Sequence, residues 1–282
     1  MTYQIVTDAT ADMDWSLWDV CVIPMRVHID GETFSYGPNG NINVQNFYKA
    51  LRQGAKTSTS QISPSEFSQV FEKHMVQGKD ILYLAFSSGM SGTYQNACFS
   101  AAELMKRYPH RRIICVDTLS ASVKEGYLVY EAVQKKKEGM KLDDLAEWVM
   151  EQRVRACCWF IVDDLEILKR GGRISTATAL TGTALQVKPI LEIDKEGHLQ
   201  LIRKVRGRKN SIRSLFNYYK EERHESAGGN VVIGHGDCLA DATMLGAAIQ
   251  EEFPQTSIII THVGPVIGAH TGPGMLTIAF CH

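Results

Sequence analysis

The chain has 282 residues, of which 44% are hydrophobic and 22% are charged. This length exceeds what one compact core usually spans, so two domains are expected rather than one. The formal net charge of −1 excludes a global electrostatic field that would recruit nucleic acid or an anionic membrane. Recognition of an anion would therefore depend on a local site.

The start of the chain and its cysteines indicate a cytoplasmic protein. The first residues, MTYQIVTDAT, lack the basic start and apolar run of a signal peptide. No apolar stretch approaches the roughly 18 residues needed to cross a bilayer, which leaves at most transient membrane contact. The seven cysteines are odd in number and form no CxxC pair, as is typical of free thiols in a reducing compartment.

Short runs rich in β-branched residues alternate with helical patterns in the first half of the chain. We predict strands at residues 3–7, 20–27, 81–86 and 113–116. We predict helices at residues 43–52, 65–76, 93–107, 122–137 and 142–153. Strands that are separated by helices favour a mostly parallel sheet with helices on both faces.

The second half has a different pattern. We predict strands at residues 159–162, 190–193, 199–205, 231–235, 257–263 and 276–281. We predict helices near residues 165–169, at 210–222 and at 239–253. The two strands on either side of residues 194–198 indicate a β-hairpin, which favours an α+β arrangement with a mixed or antiparallel sheet.

These patterns predict an α/β protein of two domains. An N-terminal domain, residues 1–158, has a mostly parallel sheet with flanking helices. A C-terminal α+β domain, residues 159–282, has a mixed or antiparallel sheet. No low-complexity tract or flexible linker separates them, so we expect the domains to pack directly and to leave a cleft between them.

The segment SSGMSGT at residues 87–93 is the strongest candidate for an anion site. It follows an apolar strand and precedes a helix, and its two glycines permit a tight turn. Its hydroxyl groups and the N–H groups of the helix start would suit a carboxylate or a phosphate. A structural turn in which Ser or Thr caps the helix explains the same residues equally well.

Two further polar segments could line the same site. Residues 57–64, TSTSQISP, place four hydroxyl groups before a helix start that Ser63, Pro64 and Glu66 would cap. Residues 168–175, LKRGGRIS, surround two glycines with cations. Those cations either close over an anionic ligand or favour the C-terminal dipole of a helix.

A fourth segment, GPVIGAHTGPG at residues 264–274, has four glycines and two prolines in eleven residues. This composition predicts a rigid, irregular loop that presents His270. A structural role for that histidine is the alternative.

The sequence lacks the motifs of common catalysts. GMSG at residues 89–92 is not the GxSxG elbow, and no phosphate loop, dinucleotide fingerprint or HExxH pair is present. Asp8, Asp163 and Asp164 lie near predicted strand ends without the spacing of an acid–base pair. We therefore expect a non-catalytic chain that uses no metal or cofactor.

Five segments, in this order, resemble the DegV family. They are IVTDATAD at 5–12, TSQISPSEF at 59–67, SSGMSGTYQNA at 87–97, LEILKRGGRIS at 165–175 and GPVIGAHTGPG at 264–274. The resemblance covers essentially the whole chain. It implies two domains with a long-chain fatty acid between them. It also implies a role as the acyl-carrying subunit of a bacterial fatty acid kinase, whose separate catalytic subunit phosphorylates the bound carboxylate.

The resemblance also implies roles by position. Thr59 matches the threonine that hydrogen-bonds the carboxylate, and His270 matches the loop histidine near the ligand head group. Ser87, Ser88 and Gly89 match the serine–glycine turn that supplies further donors. The residues expected beside the site are Arg170, Arg173 and Thr271.

The segment RKVRGRK at residues 203–209 holds five basic residues in seven. A solvated surface is one explanation. The other is a docking surface for the kinase, formed by Arg203, Lys204 and Arg206, which the charge density and the family analogy motivate.

Two other functions stay open on the residues alone. The serine–glycine turn would equally serve an enzyme that acts on a small phosphorylated or acyl substrate. The same fold would serve a module that stores lipid or regulates without a kinase. A DNA-binding regulator is disfavoured, because the charge is balanced and no recognition helix stands out.

Overall fold

The computed structural model describes residues 2–175, 186–223 and 229–282. The strands are β1 Tyr3–Asp8, β2 Val20–Ile23, β3 Met25–Ile29, β4 Glu32–Tyr36, β5 Thr57–Ser60, β6 Asp80–Ala85, β7 Ile113–Asp117, β8 Ala156–Ile161, β9 Val187–Ile193, β10 Leu199–Arg206, β11 Asn230–His235, β12 Ser257–His262 and β13 Leu276–Cys281. The helices are α1 Val44–Arg52, α2 Pro64–Val76, α3 Thr93–Arg107, α4 Ser122–Lys137, α5 Leu142–Gln152, α6 Glu166–Arg170, α7 Arg208–Glu222, α8 Leu239–Glu252 and α9 Pro265–Thr271.

The first half contains the predicted parallel sheet, with the strand order β2-β1-β6-β7 and every pair parallel. All residues of β6 are buried, because helices cover both faces of the sheet. On one face Tyr83 contacts the rings of Phe67 and Phe71 from α2. On the other face Leu82 clusters with Val129 of α4.

A small antiparallel sheet, β4-β3-β5, lies in the same half and was not predicted. The prediction of one strand over residues 20–27 is wrong, because Pro24 separates β2 from β3 and the two strands join different sheets. Proline has no N–H to donate to a strand ladder. β5 is a run of hydroxyl residues without apolar alternation, so its sequence carries no strand signal.

The second half forms a six-stranded mixed sheet in the order β10-β9-β8-β13-β11-β12. β11 and β12 are parallel, and β9 and β10 form the predicted hairpin. One face of the sheet, with Trp159 and Ile161, packs on α7 and α8. The opposite face, with Cys158 and Phe160, turns toward the first half of the chain. The predicted fold class, a parallel α/β sheet followed by a part with a mixed sheet, is confirmed.

The prediction of an irregular loop over residues 264–274 is wrong in its middle part, where α9 forms. Pro265 stands at the first helical position, where a missing N–H costs no hydrogen bond, and Gly272 ends the helix with a φ of 76°. α9 contacts α1, β3 and β5 of the first half and α6 of the second. The predicted division between residues 158 and 159 falls within β8.

Candidate functional site

A cavity lies between the inner face of the six-stranded sheet, α9 and the segments that follow β6 and β7. It encloses about 730 Å³, counting its open mouth. Its apolar lining consists of Met25, Phe86, Met90, Ala121, Cys158, Phe160, Leu168, Ile193, Leu199, Val266, Ile267 and Met275. Its polar lining consists of Thr10, Thr59, Ser60, Gln61, Ser91, Ser122, Arg173, His270, Thr271 and Thr277. Both halves of the chain contribute walls, so the cavity exists only when the halves are packed together.

Thr59 and His270 meet at this cavity. The Thr59 hydroxyl lies 2.8 Å from His270 Nε2. In β5, Thr59 pairs with the fully buried Val27 of β3, which turns its side chain inward. The same face of β5 carries Thr57, whose hydroxyl donates to the carbonyl of Ala269 at 3.0 Å. Two threonines of one strand face therefore hold the end of α9 in place.

The histidine is electrically neutral in this environment. Burial, reinforced by the nearby positive charge of Arg173, lowers the pKa of His270 to about 4. Arg173 is itself half-buried, and burial lowers the pKa of its guanidinium. Its Nη1 donates to the carbonyl of Gly171. Among the described lining residues, Arg173 is therefore the only fully charged group that could meet an anionic ligand.

Gly171 is required by the position of the histidine ring. A Cβ atom at this position would lie 2.5 Å from His270 Nδ1, which is closer than real Cβ contacts. The backbone φ of Gly171 is −71°, so its conformation alone does not demand glycine. Glycine is required here because the imidazole approaches so closely.

The serine–glycine turn uses its donors within the protein. Ser87 is fully buried, and its hydroxyl donates to the carbonyl of Gly197 in the β9–β10 hairpin at 2.8 Å. The N–H of Gly89 donates back to Ser87 Oγ at 3.1 Å, and the N–H of Ser88 donates to Asp117 at 3.2 Å. Ser87, Ser88 and Gly89 are not among the cavity-lining residues.

Ser91 of the same turn does line the cavity, and its Oγ lies 2.9 Å from the hydroxyl of Thr93. Gly92 is the N-cap of α3 and has no side chain to cap it, but Ser91 Oγ accepts from the N–H of Thr93 at 3.3 Å, so a serine still satisfies a donor of the helix start. A Cβ at Gly92 would lie 2.9 Å from Gln61 Oε1. Sequence reasoning counted the Ser91 hydroxyl among the donors of an anion site, but it assigned no role to Gln61, which lies within another polar segment that it singled out.

The residues expected beside the site divide into two groups. Arg173 and Thr271 line the cavity, and the Thr271 hydroxyl donates to the carbonyl of Ile267 at 3.1 Å. Arg170 is exposed at the end of α6 and does not line the cavity.

Behind the cavity wall, Thr10 touches two fully buried carboxyl groups. Its hydroxyl lies 2.7 Å from Glu125 Oε2 and also hydrogen-bonds Asp8. One hydroxyl carries one proton, so at least one of these carboxyls must be protonated to complete both bonds. Burial raises the pKa of Asp8 and of Glu125, and repulsion by Asp8 raises the pKa of Glu125 further.

Asp12 is a third buried carboxyl. It accepts from the hydroxyl of Ser122 at 2.6 Å and from the N–H of Gly264 at 2.9 Å. Burial raises its pKa to about 7. This side chain ties the start of α4 to the start of α9, and the sequence did not indicate either contact.

The basic segment at residues 203–209 is partly structural. The guanidinium of Arg203 lies 5.2 Å above the ring of Tyr218, which stacks on Trp159 at 3.7 Å. Arg206 is exposed. Arg208 is paired with Asp241 at 2.8 Å. Arg203 is thus held on an aromatic platform, whereas Arg206 extends into solvent.

Two negative findings apply to the described parts of the chain. No group of three or more His, Cys, Asp or Glu side chains is arranged to hold a metal ion. No helix has both the length and the apolar character that a bilayer span requires.

Comparison with known proteins gives consistent results over the full chain. The model of the DegV family, described as an uncharacterised protein family, matches residues 2–282. A DegV domain-containing protein of Clostridium perfringens is 38% identical over 281 residues, which are 99% of this chain and 97% of the relative.

Solved structures share the fold. The fatty-acid-binding DegV family protein of Thermus thermophilus is 29% identical, with a TM-score of 0.89 over 100% of this chain and 99% of that one. The fatty acid kinase B3 protein of Streptococcus pneumoniae, solved with linoleic acid, has a TM-score of 0.88 at 18% identity, over 100% and 99% of the two chains. At that identity the likeness concerns the fold alone.

Proposed function

The chain belongs to the DegV family, and on that premise we propose that it binds one long-chain fatty acid without chemically changing it. The fatty acid would lie between the N-terminal domain, residues 1–158, and the C-terminal domain, residues 159–282. The observation that supports the proposal is the largely apolar cavity. Thr59, Arg173 and His270 each place a polar group on its lining. The seven cysteines of the chain are all free, which supports a cytoplasmic location.

The two ends of a fatty acid need different surroundings. Each buried methylene contributes about 0.8 kcal/mol, which the aromatic and aliphatic walls of the sheet face and α9 would supply. A carboxylate cannot be buried without donors. Thr59, Ser91 and Arg173 are positioned on the cavity lining to provide them, with a neutral His270 beside them.

The serine–glycine turn enters this proposal in two ways. Direct donation to the carboxylate by Ser87, Ser88 and Gly89 stays a prediction. In the described structure the Ser87 hydroxyl and the Gly89 N–H are already hydrogen-bonded within the protein. Those contacts favour a second role, in which the turn positions Ser91 at the cavity. Alanine substitutions at Ser88 and Ser91 separate the two roles, since only direct donors should weaken binding when they are removed.

Mass spectrometry of the purified protein under native conditions tests the proposal directly. We expect one retained fatty acid per chain, identified by its mass. The delipidated protein should rebind a fluorescent long-chain fatty acid saturably and with a stoichiometry of one. Absence of both a retained lipid and saturable rebinding would exclude the proposed function.

We further propose that the chain presents the bound carboxylate to a separate kinase subunit for phosphorylation to an acyl phosphate. This proposal follows the family resemblance. The basic residues Arg203, Lys204 and Arg206 would contact an acidic surface of that subunit. The lining residue Arg173 would help to offset the additional negative charge of the acyl phosphate.

Charge reversal tests the docking surface. The double variant Arg203→Glu and Arg206→Glu should reduce acyl phosphate production by the kinase while fatty acid binding is unchanged. A matched control reverses two exposed lysines of the first half, Lys49 and Lys73. Equal acyl phosphate production with both double variants would contradict the proposed docking surface. If no kinase subunit co-purifies with the chain, lipid storage is favoured instead.

A further inference from the structure

A second pocket lies on the other side of the cavity wall. Cys158 and Ile193 line both spaces. The second pocket encloses about 960 Å³, counting open solvent. Its ionisable residues come from both halves of the chain. The cations Lys124 and Arg153 belong to the first half, whereas Glu192, Asp194, Lys195, Glu196 and Glu222 belong to the second.

Lys124 is a buried amine without a partner. The residue is 3% exposed, and its side-chain Nζ makes no hydrogen bond or ion pair with any residue in the described ranges. Lys124 lines the second pocket together with Cys157, Cys158, Glu192 and Asp194. The amine is therefore directed toward that pocket. Burial of the side chain removes part of the hydration of this ammonium, and an anion in the pocket would compensate for that loss.

Arg153 offers a second unused donor on the same wall. Its Nη1 donates to the carbonyl of Asp117 at 2.6 Å, but its buried Nε has no hydrogen-bond partner within the part of the chain that the structure describes. Buried donors are almost always satisfied in native proteins. Lys124 and Arg153 therefore make one wall of the pocket positively charged, which suits a ligand with an anionic group.

The opposite wall has a free acceptor. Asp194 is occupied by the N–H groups of Glu196 and His198, and Glu222 accepts from Trp159 Nε1 at 2.8 Å. The carboxyl of Glu192 makes no hydrogen bond with the described residues, and burial raises its pKa. A ligand that also carries a cation would satisfy it.

We propose that this pocket binds a small zwitterion, in which a primary ammonium group is joined to a carboxylate or a phosphate. The anionic group would accept from Lys124 and Arg153, and the ammonium would donate to Glu192. A simple anion would face the four carboxylates of the opposite wall, and a simple cation would face Lys124. Only a ligand with both charges complements both walls.

Two kinds of compound have this pair of charges, a free amino acid and the ethanolamine headgroup of a phospholipid. Calorimetric titration of the full chain with glycine and with glycerophosphoethanolamine distinguishes them. Saturable binding of either compound supports the site and identifies its source. Acetate and methylammonium, which each carry half of the charge pattern, should bind at least about tenfold more weakly.

Substitutions locate the binding. Lys124→Met replaces a buried cation with an apolar side chain of similar size, a change that usually preserves folding. It should weaken zwitterion binding about tenfold or more, while fatty acid binding is retained. Lys195→Met, at an exposed lysine on the rim of the same pocket, is the control and should bind normally. Glu192→Gln gives an independent variant should Lys124→Met fold poorly.

Proton uptake provides a second readout. Burial lowers the pKa of Lys124, and a bound anion should raise it again. At alkaline pH, zwitterion binding should therefore take up more protons in the wild-type protein than in Lys124→Met, as measured by titration in buffers of different ionisation enthalpy. The site is excluded if neither compound binds saturably, or if both bind Lys124→Met as tightly as the wild type.

Discussion

The hydroxyl of Thr59 and Nε2 of His270 lie 2.8 Å apart, although 211 residues separate them in the chain. Because the imidazole is neutral, it carries a proton on only one ring nitrogen. When that proton is on Nε2, the histidine donates to Thr59, and the hydroxyl proton of Thr59 is free to bond a carboxylate. In this arrangement the histidine orients the Thr59 hydroxyl so that it can donate to the ligand.

Removal of the Thr59 hydroxyl should weaken fatty acid binding. Thr59→Ala leaves a buried carboxylate short of one donor, which costs about 1–3 kcal/mol of binding free energy. Calorimetric titration of the delipidated protein measures this loss. Ser58→Ala, at the exposed neighbour in β5, is the control and should bind like the wild type. Wild-type affinity in Thr59→Ala would contradict the assignment of the head group.

Gly171→Ala should displace the histidine. The new Cβ would lie 2.5 Å from His270 Nδ1, and the φ of −71° at Gly171 suits alanine, so only the imidazole is disturbed. We expect a shifted His270 resonance in NMR spectra and a weaker affinity for fatty acid.

Gly172→Ala is the matched control for this change. Gly172 has a φ of 71°, and a Cβ added there would have no other atom within 4 Å. This variant should therefore lose stability while the His270 resonance stays in place. Identical His270 resonances in Gly171→Ala and the wild type would show that the ring does not depend on this glycine.

Gly197→Ala should loosen the contact between the β9–β10 hairpin and the serine–glycine turn. A Cβ at Gly197 would collide with Ser87 Oγ, so the hairpin cannot keep its position. The positive φ of 79° adds about 1–2 kcal/mol of strain. Urea unfolding of Gly139→Ala, where φ is 93° and no atom lies within 4 Å, measures the strain alone. A loss no larger in Gly197→Ala than in this control would show that close packing at Ser87 is unimportant.

Asp12 should make the protein less stable as the pH rises. Burial raises the pKa of Asp12 to about 7, whereas an unfolded chain has a value of about 3.9. Since the folded-state pKa is the higher one, the contribution of Asp12 to the free energy of unfolding is complete below about pH 4 and is lost as the pH rises through about 7. The loss should be on the order of 4 kcal/mol.

Asp12→Asn tests this dependence, because an amide mimics the protonated acid and does not titrate. Between pH 5 and pH 8, urea unfolding should show a smaller decline in stability for Asp12→Asn than for the wild type. Asp14→Asn, at an exposed carboxylate nearby, should follow the wild type. Parallel curves for the wild type and Asp12→Asn would contradict the assigned proton.

Local patterns were sufficient for the fold class and for most of the helices and strands of the two larger sheets. The apolar run of β6, the alternation of strands and helices, and the cap that Ser63 and Glu66 form at α2 all depend on neighbours in the chain. Local patterns gave a wrong prediction at three places. They missed the break between strands at Pro24 and the polar strand β5, and the glycines and prolines of α9 indicated a loop where a helix forms. Motifs at Thr59 and His270 were recognisable by resemblance, but nothing local indicated that the two side chains touch.

By itself, the sequence determined the fold class, the family and the segments that carry polar groups, because propensity, periodicity and motif are properties of adjacent residues. Only the tertiary structure decided how those groups are used. It bonded Ser87 to Gly197, brought Ser91 to the cavity, buried Asp8 beside Glu125 and left Lys124 without a partner among the described residues. These outcomes depend on strand register and on the packing of two halves against each other, and no window of neighbouring residues contains that information.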